Sequence, residues 1–245
     1  MSSIQSGYDL STSTYSPDGR IFQLEYTSNF IKKSNLVIGL ICSDGILLIA
    51  ENSNENRETN SFNSKKIFSI NSRSGIAGTG QPGDLFRIVE RIRSDQKNFK
   101  KNFSEGLVGR NLANKIQEIV HLHSIYWHLR PFICSLVLGT GSPNSPELFS
   151  ILPSGYISKN LVTIIGKNSS KVKFSLIPER NLLDSCRQNL KIISRNLIEI
   201  NKIHNSEIFE VFWYSKDNKD FTKPIPNNFK KNLNRINDFF FLKNK

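Results

Sequence analysis

Three histidines within eight residues, His121, His123 and His128, are the side chains most able to hold a metal ion in this chain. Imidazole nitrogens bind zinc where a third and fourth ligand complete a tetrahedron. On a helix, positions 121 and 123 point about 200° apart, and no neighbouring acid supplies a third donor, so no metal centre is expected from them. Cys42, Cys134 and Cys186 are far apart and form no Cys-x-x-Cys pair. That pattern fits reduced, buried thiols in an intracellular protein better than a disulfide framework or a zinc site. Gly78-Thr-Gly80 and Gly139-Thr-Gly141 lack the third glycine and the downstream acid of a dinucleotide-binding loop and read as strand-end turns. No cofactor is expected.

The formal charge of +12 raises a nucleic-acid or acidic-surface partner as one hypothesis. The basic residues are dispersed, however, without a run interleaved with stacking aromatics as single-strand binders require. The whole chain is rich in Asn, Lys and Ile, so the charge reads as compositional drift, and nucleic acid is not expected as a partner. Nothing approaches about 18 consecutive apolar residues, which excludes a helical membrane span. The polar N-terminus lacks the apolar core of a secretory signal.

The elements that must position any site follow from periodicity. Leu36–Ile41 and Ile46–Ala50 are apolar runs joined by Ser43-Asp44-Gly45, an Asp-Gly hairpin signal. Both are apolar on both faces, which implies a sheet covered on both sides. Further strands are expected at 65–71, 74–80, 132–138, 147–152, 207–214 and, as one continuous strand, 156–165. Helices are expected from Pro82 through Ile92, from about Ser104 to Leu129, more weakly over 169–177, and over 182–204. Residues 1–7 read as frayed and 51–64 as a surface loop. The tail from Lys216 carries eight Lys or Arg against three Asp, a net of +5. Two stacked sheets between helix layers are the architecture this order suggests, an α+β, four-layer αββα sandwich.

The stretch Tyr8–Tyr26 holds the densest signal. A run of small hydroxyl residues leads into Ser16-Pro17-Asp18-Gly19, a strong turn. A helix follows from Arg20 to Lys33, with Phe22, Leu24, Tyr26, Phe30 and Ile31 spaced to share one broad face. Lys32 and Lys33 close it where the helix dipole favours cations. Tyr8, Asp9, Ser16 to Arg20, Phe22, Gln23, Glu25 and Tyr26 closely resemble the N-terminal signature of proteasome alpha subunits, with Leu24 for Val and Thr27 for Ala. Ala50-Glu51, Lys66, the segment from Gly80 to Asp84, Arg130-Pro131-Phe132, Pro153-Ser154-Gly155 and Ile165-Gly166-Lys167 resemble further landmarks of that family and span most of the chain. The run from His121 to Phe132 and the Tyr-Asp-Leu opening most resemble the alpha-7 type of the eukaryotic particle.

The resemblance implies a sandwich of the N-terminal-nucleophile hydrolase type over residues 34–215, an N-terminal gate tail and alpha-subunit helix over 1–33, and a basic tail over 216–245. It implies a non-catalytic subunit of the 20S core particle. Its partners would be other alpha subunits in a seven-membered ring, beta subunits and an activator, in cytoplasm and nucleus, serving ATP- and ubiquitin-dependent protein degradation. Active relatives use an N-terminal threonine whose free amine is the base. The matching position is Ser34, with Lys66 and Glu51 at the accompanying lysine and acid positions, but Ser34 is in mid-chain and its nitrogen is a non-basic amide. Tyr8, Asp9, Pro17 and Tyr26 match the cluster that holds the tail clear of the pore, through a Tyr–Asp hydrogen bond and Pro–Tyr ring packing. Lys66 and Gly80 match the pocket that receives an activator's C-terminal carboxylate. The alternatives are an active peptidase of the same fold and a basic nucleic-acid-binding protein.

Overall fold

The computed structural model describes residues 7–51, 65–141, 145–173, 184–201 and 209–215. The expectations for residues 1–6, for the loop at 52–64, for the helical residues 174–177, 182–183 and 202–204, and for the basic tail from 216 lie outside them.

Helix α1 (Phe22–Lys33) is followed by the hairpin β1 (Val37–Cys42) and β2 (Gly45–Glu51). Next come β3 (Ile67–Asn71) and β4 (Ser74–Gly80), then α2 (Pro82–Phe103) and α3 (Gly109–Ile125). The chain continues through β5 (Cys134–Gly141), β6 (Pro146–Ile151), β7 (Ile157–Lys159) and β8 (Val162–Ile165). It ends in α4 (Cys186–Asn201) and β9 (Phe209–Ser215). One sheet has the order β8-β1-β2-β9 and the other β3-β4-β5-β6-β7. Every strand pair is antiparallel. Among the described residues no helix is long and apolar enough to cross a membrane.

Side-chain alternation along β1 and β2 explains the layering. Leu36, Ile38, Leu40, Leu47 and Ile49 face α4, where Cys186, Leu190, Ile193 and Leu197 meet them. Val37, Ile46, Leu48 and Ala50 face the other way, onto Ile67, Ala77, Val137 and Leu148 of the second sheet. That sheet's outer face buries Ile76, Leu136 and Leu138 against Leu85, Ile88 and Ile92 of α2 and Leu112 and Ile116 of α3. Three apolar layers therefore separate four layers of structure, which is the αββα sandwich expected from the element order.

Three expectations need correction. Residues 156–165 are not one strand. β7 pairs with β6 in one sheet and β8 with β1 in the other. Asn160 makes the crossing: its backbone N–H bonds Leu148 O at 2.9 Å and its side-chain amide donates to Ser158 Oγ at 2.9 Å and Ser150 Oγ at 3.1 Å. The helix expected from Ser104 begins only at Gly109, because Ser104 ends α2 in the left-handed region at φ 62°. Helix α1 buries Phe22, Thr27 and Ile31, while Tyr26 and Phe30 stand about half exposed. The buried stripe thus runs through Phe22 and Ile31 but leaves Tyr26 and Phe30 at its edge. Thr27, where the resembling family has Ala, is accommodated because its hydroxyl donates to Gln23 O at 2.9 Å.

Candidate functional site

The N-terminal cluster is built on the turn before α1. Gly19 N–H donates to Ser16 O at 2.8 Å, with Gly19 at φ 73°, a conformation that glycine reaches without the clash a Cβ brings. Ser16 is buried, and its hydroxyl accepts from the Arg20 N–H at 3.0 Å. Arg20 grips Glu25 with two parallel bonds, at 2.7 and 2.5 Å. That pairing holds the Glu25 carboxyl below its ordinary value. The Arg20 guanidinium also lies 5.3 Å above the Phe22 ring, and Phe22 stacks on Tyr26 at 6.3 Å. Turn and first helical turn are therefore one rigid unit.

Onto it fold the residues before the turn. The Tyr26 hydroxyl donates to Asp9 Oδ2 at 3.4 Å, a long, exposed bond, and the Gln23 side-chain amide donates to the Asp9 carbonyl. Burial and the Asp9 carboxylate both raise the Tyr26 pKa, so the phenol stays a donor. Tyr8 is half-buried, and Pro17 sits exposed on the turn. The structure thus brings Asp9 and Tyr26 together as expected and gives Tyr26 the ring of Phe22 as a neighbour. The Gln23–Asp9 link went unread in the sequence, although Gln23 is within the signature.

The second cluster gathers where α1 hands over to β1. Ser34 closes α1: its N–H donates to Ile31 O and its hydroxyl to Phe30 O, both at 3.0 Å. Its carbonyl accepts the Lys167 N–H at 2.8 Å. Glu51, at the end of β2, is buried, accepts the Leu36 N–H at 3.1 Å and pairs with the Lys167 ammonium at 2.9 Å. Lys66 is half-buried at the start of β3. Its backbone N–H and that of Ile67 donate to the Glu210 carboxylate of β9 at 2.8 and 3.2 Å, which docks this strand start against the other sheet. Burial lowers the Lys66 pKa, Lys167 lowers it further, and Glu51 and Glu210 oppose. The Lys66 ammonium forms no ion pair within 4.0 Å among the described residues.

The Lys66 carbonyl accepts the Gly78 N–H at 3.0 Å, and Gly80 lies two residues further along β4. Gly80 stands at φ 125°, and a Cβ there would meet Ile133 O at 2.0 Å, so this position tolerates only glycine. Beside it lies a clasp that periodicity could not reveal. Asp84, buried in the first turn of α2, accepts two bonds from Arg130 at 2.7 and 2.5 Å and one from the Ile133 N–H at 2.8 Å. Burial pushes the Asp84 carboxyl up, but the Arg130 guanidinium and the Ile133 amide outweigh it and leave the pKa below the ordinary value. The signal available in sequence was only that Asp84 and Arg130 both fell in motif segments.

The histidines have separate partners. His121 Nδ1 meets Ser154 O at 3.1 Å, His123 stacks on Phe132 at 4.1 Å, and His128 lies 5.6 Å from Tyr126 and Trp127. Burial lowers the His123 pKa, so its ring stays neutral against Phe132. The cysteines are free and buried, as expected, and Cys42 and Cys186, distant in sequence, come together in the fold beside Asp44.

A two-sheet αββα sandwich, entered by a helix that a signature turn precedes, defines an architecture of the N-terminal-nucleophile type. The proteasome subunit family model matches residues 31–179, more than half of the chain, and the N-terminal signature of A-type proteasome subunits matches residues 8–27. The chain belongs to the proteasome subunit family, with the alpha-type signature. A spinach protein, named as the alpha type-3 proteasome subunit, is 31% identical over 230 residues, 93% of this chain and 92% of that one. The rice protein of the same name is 33% identical over 86% and 85%. An archaeal proteasome alpha subunit from Methanobrevibacter smithii is 31% identical over 67% and 66%. The eukaryotic relatives carry the name alpha type-3; the alpha-7 label suggested by residues 121–132 is not among their names.

Proposed function

We propose that this chain is a non-catalytic subunit of the outer alpha ring of the 20S core particle, at the position of the relatives named alpha type-3. On this reading it sits in a seven-membered ring of alpha subunits, templates the beta ring beneath, docks an activator and gates substrate entry in ATP- and ubiquitin-dependent degradation, in cytoplasm and nucleus. The observation that carries it is the state of Ser34. Its nitrogen is an amide that closes α1, and its hydroxyl is engaged by Phe30 O. A nucleophile needs a free amine as base and a free hydroxyl, and α1 occupies the place where both would be. Lys66 and Glu51 remain as neighbours without a nucleophile to serve.

The gate reading rests on Asp9, Gln23 and Tyr26, which tie the chain before the turn to α1 with bonds of about 1 kcal/mol each. Coupling of that size suits a gate, because an activator shifts it only through differential contacts. The docking reading rests on Lys66, an ammonium partly removed from water and without an ion pair among the described residues, which an incoming carboxylate would complete as a charge-assisted bond.

Native mass spectrometry of the tagged chain purified from its own cells tests the assignment. A particle of fourteen alpha-type and fourteen beta-type chains, with this chain intact ahead of Tyr8, supports it. A free monomer, or a mature chain beginning at Ser34, refutes it.

A further inference from the structure

Cys42 ends β1, Asp44 is in the hairpin turn that follows, and Cys186 opens α4. They are 144 residues apart at the extremes, yet one donor atom from each lies within 4.8 Å of the other two. Both thiols are buried, at 3% and 1% exposure, while Asp44 is half-buried and reaches towards solvent. A tetrahedral zinc ion with Zn–S bonds of about 2.3 Å sets its sulfurs about 3.8 Å apart. The three donors are therefore already close to the spacing that such an ion requires. The geometry points to a binding site for a thiophilic divalent cation of the zinc class, held by Cys42, Cys186 and Asp44, with water from the Asp44 side as the fourth ligand.

The surroundings are built as a metal site needs. The Asp44 carboxylate is oriented by the Cys186 N–H, which donates to Oδ1 at 2.8 Å, and the Cys186 thiol hydrogen-bonds both Cys42 and the Asp44 side chain, contacts that a bound ion would replace. The hairpin turn is tied to the same chain segment by Ser43 N–H to Asp184 O at 3.3 Å. The side-chain amide of buried Asn189 reaches Cys42 Sγ at 3.6 Å, as outer donors do to metal thiolates. Leu40, Leu190 and Ile193 of the same apolar cluster keep the sulfur side dry. Two thiolates favour zinc over magnesium or calcium, which prefer oxygen ligands. Two thiolates and a carboxylate against a divalent ion leave one negative charge, and it falls at the α4 N-terminus, where the helix dipole favours it. Loading replaces two thiol protons with one ion and cross-links the β1–β2 turn to α4, so binding free energy becomes stability of that layer.

The test uses the untagged full chain, reduced, stripped with chelator and titrated with cobalt(II). The expected result is one ion per chain, a thiolate-to-cobalt charge-transfer band, two protons released per ion, and loss of the band when zinc is added. Cys42→Ser and Cys186→Ser should each abolish the band, Asp44→Asn should weaken binding tenfold or more, and Cys134→Ser should change nothing. Zinc-edge X-ray absorption on the unsubstituted chain needs no variant and should show two sulfur neighbours. Absence of the band, its survival in either serine variant, or a zinc shell of nitrogen and oxygen alone overturns the proposal.

Discussion

Replacing Arg130 with alanine should cost more than an exposed ion pair is worth, and a second substitution should give part of that back. The Arg130 side chain is 61% exposed and Asp84 only 6%. Losing the guanidinium exposes nothing new on the arginine side. It strands a buried carboxylate that keeps a single neutral donor, the Ile133 N–H. Hydrogen bonds to charged groups contribute about 1.5–3 kcal/mol, and a broken buried pair costs up to about 5 kcal/mol. Discounted for the exposure of Arg130, the expected loss is about 2–3 kcal/mol, a fall in Tm of about 4–12 °C for a chain of this size. Asp84→Asn keeps an acceptor for Ile133 and removes the charge, so alone it should cost about 1 kcal/mol. In the double variant the stranded charge is gone, and its loss should be smaller than that of Arg130→Ala. The pH dependence should also reverse. In the wild type the depressed Asp84 pKa contributes stability in full above the ordinary carboxylate value of about 3.9, and this is lost as pH falls through the folded pKa. Without Arg130, burial dominates and the folded pKa rises above the unfolded one. Asp84 then favours folding more as pH falls from neutral towards that value. Urea unfolding of the four chains at neutral and mildly acidic pH measures all of this. Additive losses, or an Arg130→Ala cost below about 0.5 kcal/mol, would refute the reasoning.

Gly80→Ala should destabilise by several kcal/mol and reduce soluble yield, since the new Cβ meets Ile133 O at 2.0 Å and φ is positive. Gly83→Ala, three residues on, meets nothing within 4 Å and sits in the first turn of α2, so it should stabilise by up to about 1 kcal/mol in the same unfolding assay. Tyr26→Phe removes the 3.4 Å bond to Asp9 and should change activator-stimulated peptide hydrolysis by the assembled particle about fivefold at most, with thermal stability unchanged. An amidated control peptide isolates the role of Lys66. Fluorescence anisotropy should show a free-carboxylate peptide binding at neutral pH and weakening at a lower alkaline pH than an ordinary lysine would allow, because burial depresses the Lys66 pKa. Lys66→Arg should flatten that decline.

The layers were legible because the strands announce burial on both faces, and β2 is indeed buried at every position. What stayed hidden depends on partners far along the chain. The change of sheet within Tyr156–Ile165 is set by pairings made elsewhere, β7 with β6 and β8 with β1, and Asn160 is fixed between them by Ser150, Ser158 and Thr163. The spacing of α1 put Phe22, Leu24, Tyr26, Phe30 and Ile31 on one broad face; of these Phe22 and Ile31 pack, joined by Thr27, while Tyr26 and Phe30 stay about half exposed. Helical periodicity defines a broad face and not the line within it that meets the sheet.

The same limit explains both clusters of ionisable groups. Glu51, Lys66, Lys167 and Glu210 come from β2, the residue before β3, the turn after β8 and β9, and only closure of the sandwich brings them together. Each carboxylate there holds backbone N–H groups that join successive segments: Glu51 holds Leu36 at the start of β1, and Glu210 holds the start of β3. Glu51 is thus occupied by the Leu36 N–H and the Lys167 ammonium. Buried carboxylates with such backbone partners are costly to remove whether or not a reaction is performed beside them. The place of Glu51 at the end of β2 therefore does not require catalysis. Ser34, engaged through its amide, its hydroxyl and its carbonyl, offers neither the free amine nor the free hydroxyl that an N-terminal nucleophile needs.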